Sequence, residues 1–201
     1  MRKAAMTQES TKGKILKSAY ALFRQEGFTR VSVDAIAERA SVTKRTVYYH
    51  FKSKDDIVAE VLTDQHEYLL RQFQDWAGSA EQTPVQLVQN LFLRLHEWAE
   101  RKPFLGSGFT RIATELADRP GHPARKAASS HKVLVEKWLA EQLTKAGHDN
   151  SGSAARSIVT LIEGSMILAL IHGNTEYIQS AGLAACELAR LQERNALSTT
   201  T

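Results

Sequence analysis

A run of polar side chains between residues 43 and 50 is the part of the sequence best suited to contact a polyanion. Val47 and Phe51 are four residues apart, so both face the same way if the segment is helical. The rest of that helix surface then carries hydroxyl, ammonium, phenol and imidazole groups, on Thr43, Lys44, Thr46, Tyr48, Tyr49 and His50. Such groups donate to phosphate oxygens and reach base edges in a DNA groove. Lys54 begins the next helix, where its charge adds to free backbone N–H groups.

Two short helices joined by a turn are needed to position these side chains. Ser32 is a suitable N-cap for a first helix over residues 33–40, and Thr43 for a second that reaches residue 50 or 51. Ser41 lies in the turn between them. The spacing therefore predicts a helix-turn-helix over residues 33–52.

The rest of the chain also reads as helix. Apolar residues recur at helical spacing, and no useful segment alternates with period two. We predict an all-α fold of about nine helices, with a polar linker over residues 149–153. The predicted helices cover about residues 10–26, 33–40, 43–51, 54–76, 84–102, 105–117, 124–146, 154–172 and 175–194.

Charge is distributed unevenly along the chain. Residues 1–54 hold 12 lysines and arginines against four acidic residues, a net charge of +8, whereas the remainder holds 14 against 18, or −4. A polyanion-binding head on a different body would show this pattern, although a solvated basic surface would show it equally. The single cysteine, Cys186, excludes an internal disulfide framework and fits a reducing cytoplasm. We expect neither a signal peptide nor an apolar run long enough to cross a bilayer.

Motifs for catalysis are missing from the sequence. The seven histidines do not fall at metal-ligand spacing, and there is no CxxC pair, glycine-rich phosphate loop or serine elbow. We therefore expect no enzyme, no metal and no cofactor. A non-specific, nucleoid-type DNA-binding protein is the nearer alternative, but it would carry basic charge along its whole length.

The segment Thr43-Lys-Arg-Thr-Val-Tyr-Tyr-His-Phe-Lys-Ser-Lys54 closely resembles the recognition helix of the TetR family of transcriptional regulators. Residues 33–40 and the Phe23…Gly27-Phe28…Ser32 stretch are also similar to that family. The strong resemblance covers about residues 10–62, with one departure: Ser41 stands where the family often has glycine. It implies a DNA-binding domain over residues 8–68 and a regulatory and dimerisation domain over 69–201.

The resemblance also implies roles for individual residues. Lys44, Arg45, Thr46 and Tyr49 face the major groove and include the base readers. Phosphates are held mainly by Thr43, Tyr48, His50 and Lys54. Ser32 and Val33 open the first helix of the motif near the DNA backbone. The alternative is that Tyr48 and Tyr49 are partly core residues and that Lys44 and Arg45 are only solvated.

The last two predicted helices are apolar on two sides, so each needs a second layer to cover it. A second subunit would supply that layer through a four-helix interface, and a twofold dimer would bind a palindromic operator. The alternative is that both are central helices of a monomer. The candidate interface residues are Ile158, Leu161, Ile162, Ser165, Leu168, Ala181, Ala184, Leu188 and Leu191.

The middle helices are where members of this family commonly bind an inducer. Aromatic side chains with a few polar groups suit a small-molecule site, although such residues are often plain core. Glu163 stands alone among apolar residues and needs a partner if it is buried. The residues point to an acidic ligand or a hydrophobic one, and a repressor is favoured over an activator. The candidates are Phe73, Phe92, His96, Trp98, Phe104, Phe109, Arg111, Thr114, Glu115, Trp138 and Glu163.

Overall fold

The computed structural model describes residues 10–78 and 82–190 of the 201-residue chain. Over those residues the protein is all-α, with nine helices and no strand, as predicted. The helices are α1 (Thr11–Glu26), α2 (Val33–Arg39), α3 (Lys44–His50), α4 (Lys54–Ala77), α5 (Pro84–Glu100), α6 (Gly108–Glu115), α7 (Pro123–Lys145), α8 (Ser151–His172) and α9 (Glu176–Arg190). Leu191 and the predicted end of the last helix lie outside the described residues.

The helices form two compact units. The first, which we call the head, contains the described residues up to Gln65 together with residues 111–127. The second, the body, contains residues 66–110 and the described residues from Ala128 onward. The sequence placed the domain boundary near residue 68, and the head departs from that expectation by taking in the 111–127 segment.

Short polar side chains set the helix starts of the head. Ser10, Ser32 and Thr43 each accept a hydrogen bond, at 3.1 Å, from the backbone N–H three residues later. Each cap satisfies one of the N–H groups that a helix start leaves without a partner. The three helices then enclose a common apolar core that includes Ile15, Ile36 and Val47, all fully buried.

In the body, α5 and α8 both pack against α9. A capping box between Thr83 and Gln86, with Pro84 at the first turn, begins α5 where the sequence predicted. Gly182 of α9 lets the helices approach closely, because an added Cβ there would lie 2.9 Å from Cβ of Phe92. The body core thus depends on a small residue facing a large one.

Two helix starts differ from the predictions. Helix α6 begins at Gly108 rather than near 105, with Ser107 Oγ accepting from Thr110 N at 3.4 Å. Helix α8 begins at Ser151, inside the predicted linker. By length and composition alone α8 would also cross a membrane, which we did not expect. Its buried side, which includes Ile158, Ile162 and Met166, instead forms part of the body core.

Candidate nucleic-acid interface

Helix α3 separates its core side from its exposed side at Val47. Val47 is fully buried and Phe51, which follows the helix, is 3% exposed, as the four-residue spacing predicts. Tyr48 is 49% exposed and Tyr49 is 85% exposed. Arg45 is also exposed. The exposed side of α3 therefore presents the Arg45 guanidinium and two phenols, while the buried Val47 anchors the helix in the core.

The hydroxyl groups near the start of α3 are already engaged. Thr43 Oγ1 accepts from Thr46 N at 3.1 Å and lies 2.8 Å from Thr46 Oγ1. Ser32 is used in the same way at the start of α2, and the side chain of Val33 is buried. These residues fix the two helix starts, and each hydroxyl keeps further hydrogen-bonding capacity.

Lys44 bridges the two helices of the motif. Its Nζ lies 2.8 Å from Oδ2 of Asp34, in the first turn of α2, and both side chains are more than half exposed. The hydrogen bond that Lys44 donates to Asp34, followed by the negative charge of that carboxylate, raises the pKa of Lys44. Because the pair is exposed, a phosphate oxygen has access to the same ammonium group.

Lys54 is turned toward the loop between α1 and α2, rather than outward as its predicted phosphate contact suggested. Its Nζ donates to the carbonyl oxygens of Phe28 and Val31, each at 3.0 Å, and lies 4.4 Å from the centre of the Phe28 ring. Burial lowers the pKa of Lys54. The ammonium group therefore holds the α1–α2 loop, and the phosphate contact of Lys54 stays a prediction.

Ser41 occupies the turn between α2 and α3 in a left-handed conformation, with φ of 55°. Among the described residues it is the one non-glycine position with positive φ. This is the position at which the sequence departs from the glycine that is frequent in the TetR family. A left-handed backbone costs an L-residue about 1–2 kcal/mol, a cost that glycine avoids.

The eleven ligand candidates do not line one cavity. Phe73, Trp98 and Phe104 join Trp76 in a row of aromatic rings with centroids 5.2–6.1 Å apart. Phe92 and His96 line a groove of 440 Å³ between α5 and α9. A separate depression of 420 Å³ is lined by Trp138.

The remaining body candidates, Phe109 and Glu163, lie in a polar cluster that the sequence only partly indicated. Glu163 Oε1 is 2.5 Å from Nζ of Lys132 and Glu163 also accepts from the Thr110 hydroxyl. Phe109 stacks on His131 at 4.0 Å, and Nδ1 of His131 is 2.7 Å from Nδ1 of His66. Glu163 thus has the partner that its setting required. The sequence offered no signal for Lys132, because distant segments bring it to Glu163.

Arg111, Thr114 and Glu115 belong to the head, which corrects their placement with the body candidates. Arg111 Nη1 donates to the carbonyl of Arg24, at the end of α1, at 2.8 Å. Glu115 Oε2 accepts from N and Oγ1 of Thr29, at 2.9 and 3.1 Å. Arg111 and Glu115 therefore bind the backbone of the head, and Thr114 lies on the same short helix.

The dimer candidates divide by exposure. Ile158, Ile162, Ser165 and Ala181 are buried in the body of the single chain, so their side chains are unavailable to a partner. Leu168 is 39% exposed, and Leu161, Ala184 and Leu188 are also partly or fully exposed. One further isoleucine and one further leucine are exposed on the same two helices: Ile171 is 67% exposed and Leu183 is 73% exposed. These exposed residues, rather than the buried four, are the ones that a partner could contact.

Helices α1 to α3 of the head, with capped starts of α2 and α3 and a tight turn between them, define a helix-turn-helix protein. Residues 15–61 match the family model described as "Bacterial regulatory proteins, tetR family". The chain belongs to the TetR family. The matched residues lie in α1 to α4, so they include α3 and the neighbouring helices of the head.

Individual relatives agree with the family model. The chain is 30% identical over 120 residues to the HTH-type transcriptional repressor KstR2 of Mycobacterium tuberculosis, and the match spans 60% of each chain. It is 35% identical over 135 residues to the uncharacterized HTH-type transcriptional regulator YdeS of Bacillus subtilis, which spans 65% of this chain and 66% of that one. A solved TetR-family transcriptional regulator from Streptomyces coelicolor is 25% identical, with a TM-score of 0.77 over 90% of this chain and 94% of that chain.

Proposed function

We propose that this protein is a transcriptional regulator that recognises a specific DNA sequence through α3. The observation that supports this most is the exposed side of α3, where Arg45, Tyr48 and Tyr49 surround a helix fixed by the buried Val47. Arginine is suited to guanine edges, and tyrosine donates to phosphates. Lys44 adds a cation at the helix start, and repression requires only that the bound protein occupy a promoter.

The proposed dimer uses the exposed apolar residues of α8 and α9. Leu168, Ile171 and Leu183 are large apolar side chains that a second subunit would remove from water. A twofold dimer would carry two copies of α3 to a palindromic operator. The Leu168→Glu variant should shift sedimentation toward monomer. Leu134→Glu, a control on α7 with a similarly exposed side chain (42% against 39%), should not.

We propose that an inducer binds in the body. We also propose that the protein acts in the cytoplasm. The body supplies aromatic rings, a groove of 440 Å³ and the Lys132–Glu163 pair, which together suit a small organic molecule with a polar group. We expect such a ligand to lower operator affinity, because it binds the conformation that recognises DNA less tightly than a second conformation that does not. A screen for compounds that raise the melting temperature and weaken DNA binding would identify it.

Selection of bound duplexes from a random pool at physiological salt tests the proposed function. A palindromic consensus is expected from specific dimeric recognition. If no consensus is enriched, and binding is weakened by salt but does not vary with sequence, the nucleoid-type alternative is favoured instead. The same selection with the Arg45→Ala variant should relax the consensus at particular positions rather than weaken every sequence equally.

A further inference from the structure

A cluster of charged groups joins the first turn of α4 to the segment between α6 and α7, within the head. Asp55 Oδ2 lies 2.6 Å from Nη2 of Arg119, and Asp55 Oδ1 lies 3.1 Å from Nε2 of His122. The His122 side chain is 1% exposed, and its Nδ1 accepts from Ala124 N at 3.1 Å. The proton of the neutral ring is therefore assigned to Nε2, the nitrogen beside Asp55. We call these three residues the Asp55 cluster.

The Asp55 cluster is continuous with the loop that leads into the helix-turn-helix. The ring of His122 packs edge to face on Phe28, with centroids 5.8 Å apart. The ammonium of Lys54 donates to the carbonyls of the same loop, and the Glu115 carboxylate accepts from Thr29. The loop over residues 28–31 is thus fixed by α4 and by the 111–122 segment before it reaches the start of α2.

The ionised form of Asp55 is the one that the cluster stabilises. Burial alone would raise the pKa of Asp55, but the adjacent His122 ring and the hydrogen bond from Arg119 outweigh it and lower the pKa. A carboxylate with both oxygens engaged keeps its two partners in one fixed geometry.

We propose that Asp55 is a positioning residue for DNA binding, which holds Arg119 and His122 against α4 and thereby fixes the α1–α2 loop and the helix-turn-helix that follows it. This inference rests on the proposed DNA-binding function. Asp55 itself contacts no DNA; it acts through the loop.

The sign of the effect separates positioning from plain electrostatics. Asp55→Asn removes a negative charge, and a less acidic head should bind a polyanion more tightly if charge alone mattered. Positioning predicts the opposite, a weaker complex. Asp56→Asn is the matched control, because it makes the same charge change in the same turn of α4 and no hydrogen bond of its carboxylate is present among the described residues.

Operator affinity of the full chain, measured well below the melting temperature of each variant, tests the proposal on a duplex selected with the unmodified protein. We expect Asp55→Asn to weaken binding by about fivefold to tenfold, with Asp56→Asn unchanged or slightly tighter. Adding Arg119→Gln to Asp55→Asn should cause little further loss, because both changes break one contact. Asp55→Asn binding as tightly as Asp56→Asn would overturn the proposal. The proposal would also be overturned if the losses in affinity from Asp55→Asn and Arg119→Gln were additive and Arg119→Gln alone lowered the salt slope of DNA binding by about one. Arg119 would then be a phosphate contact.

Amide hydrogen exchange of the DNA-free protein keeps the inference separate from the proposed function. Asp55→Asn should speed exchange over residues 28–33, and Asp56→Asn should not. If the unmodified protein selects no DNA, the proposed function fails, yet the exchange comparison still decides whether Asp55 fixes the loop. Unchanged exchange in Asp55→Asn would refute the positioning role by itself.

Discussion

Tyr49 and Val47 lie two residues apart on α3, and the structure predicts that their substitutions have opposite consequences. Tyr49 is 85% exposed and its ring contacts His50 edge to face at 5.1 Å, so Tyr49→Ala removes little from the fold. We expect a change of no more than about 0.5 kcal/mol in the free energy of unfolding. If its phenol contacts DNA, the operator complex should lose about 1–3 kcal/mol, or roughly fivefold to 150-fold in affinity.

Val47→Ala should behave in the reverse way. Val47 is fully buried, and the change removes two methyl groups from a closed site. Lost transfer energy of about 1.6 kcal/mol, increased by the cavity left behind, gives about 2–3 kcal/mol of destabilisation. For a chain of this length the melting temperature should fall by about 4–12 °C.

Calorimetry and fluorescence anisotropy on a selected duplex measure both quantities for both variants. We expect a stable Tyr49→Ala protein with weak DNA binding. We also expect a less stable Val47→Ala protein that binds DNA nearly normally at temperatures low enough for it to stay folded. Full operator affinity in Tyr49→Ala, or an unchanged melting temperature in Val47→Ala, would refute the assignment of exposed and buried sides on α3.

Three further predictions concern stability. Ser41→Gly should raise the melting temperature by about 1–2 °C, because relief of the left-handed strain exceeds the added chain entropy by about 0.5 kcal/mol; a decrease in calorimetry would contradict this. Burial lowers the pKa of His131 to about 3, so the unfolded chain binds more protons between that pH and its unfolded pKa near 6.5, and stability is lost as pH falls through this window. His131→Asn should therefore flatten the acid side of the stability profile by up to about 1.4 kcal/mol per pH unit, and equal slopes in urea titrations would exclude the effect. Lys54→Met should lower the free energy of unfolding by about 2–3 kcal/mol in denaturant melts, because charged hydrogen bonds to partly buried carbonyls are lost. Lys52→Met, at the exposed neighbouring cation, should have little effect.

Local sequence signals were enough to predict the helix-turn-helix and the order of the helices. Ser32 and Thr43 mark helix starts through hydrogen bonds to residues three positions away, so their roles are contained in short segments. The burial of Val47 likewise follows from helical spacing. The family resemblance then added roles for the exposed residues of α3.

Contacts between distant segments could not be predicted in this way. Lys54 was expected to face phosphate because it begins a helix, but its Nζ finds carbonyls about 25 residues earlier. Glu115 contacts Thr29, which is 86 residues away, so composition alone placed it with the ligand candidates. The inward side of α8 was likewise predicted as an interface because apolar periodicity shows that a side is covered, but not by which element.

Site-directed photocrosslinking to a selected duplex tests the central claim most directly. A benzoylphenylalanine at position 49 closely replaces an exposed tyrosine on α3, and the same group at position 134 occupies an exposed site on α7 of the body. Recognition by α3 predicts a crosslink to bases of the selected sequence from position 49 and none from position 134. Crosslinking from position 134 alone, or from neither position while the protein remains bound, would contradict recognition of DNA by α3.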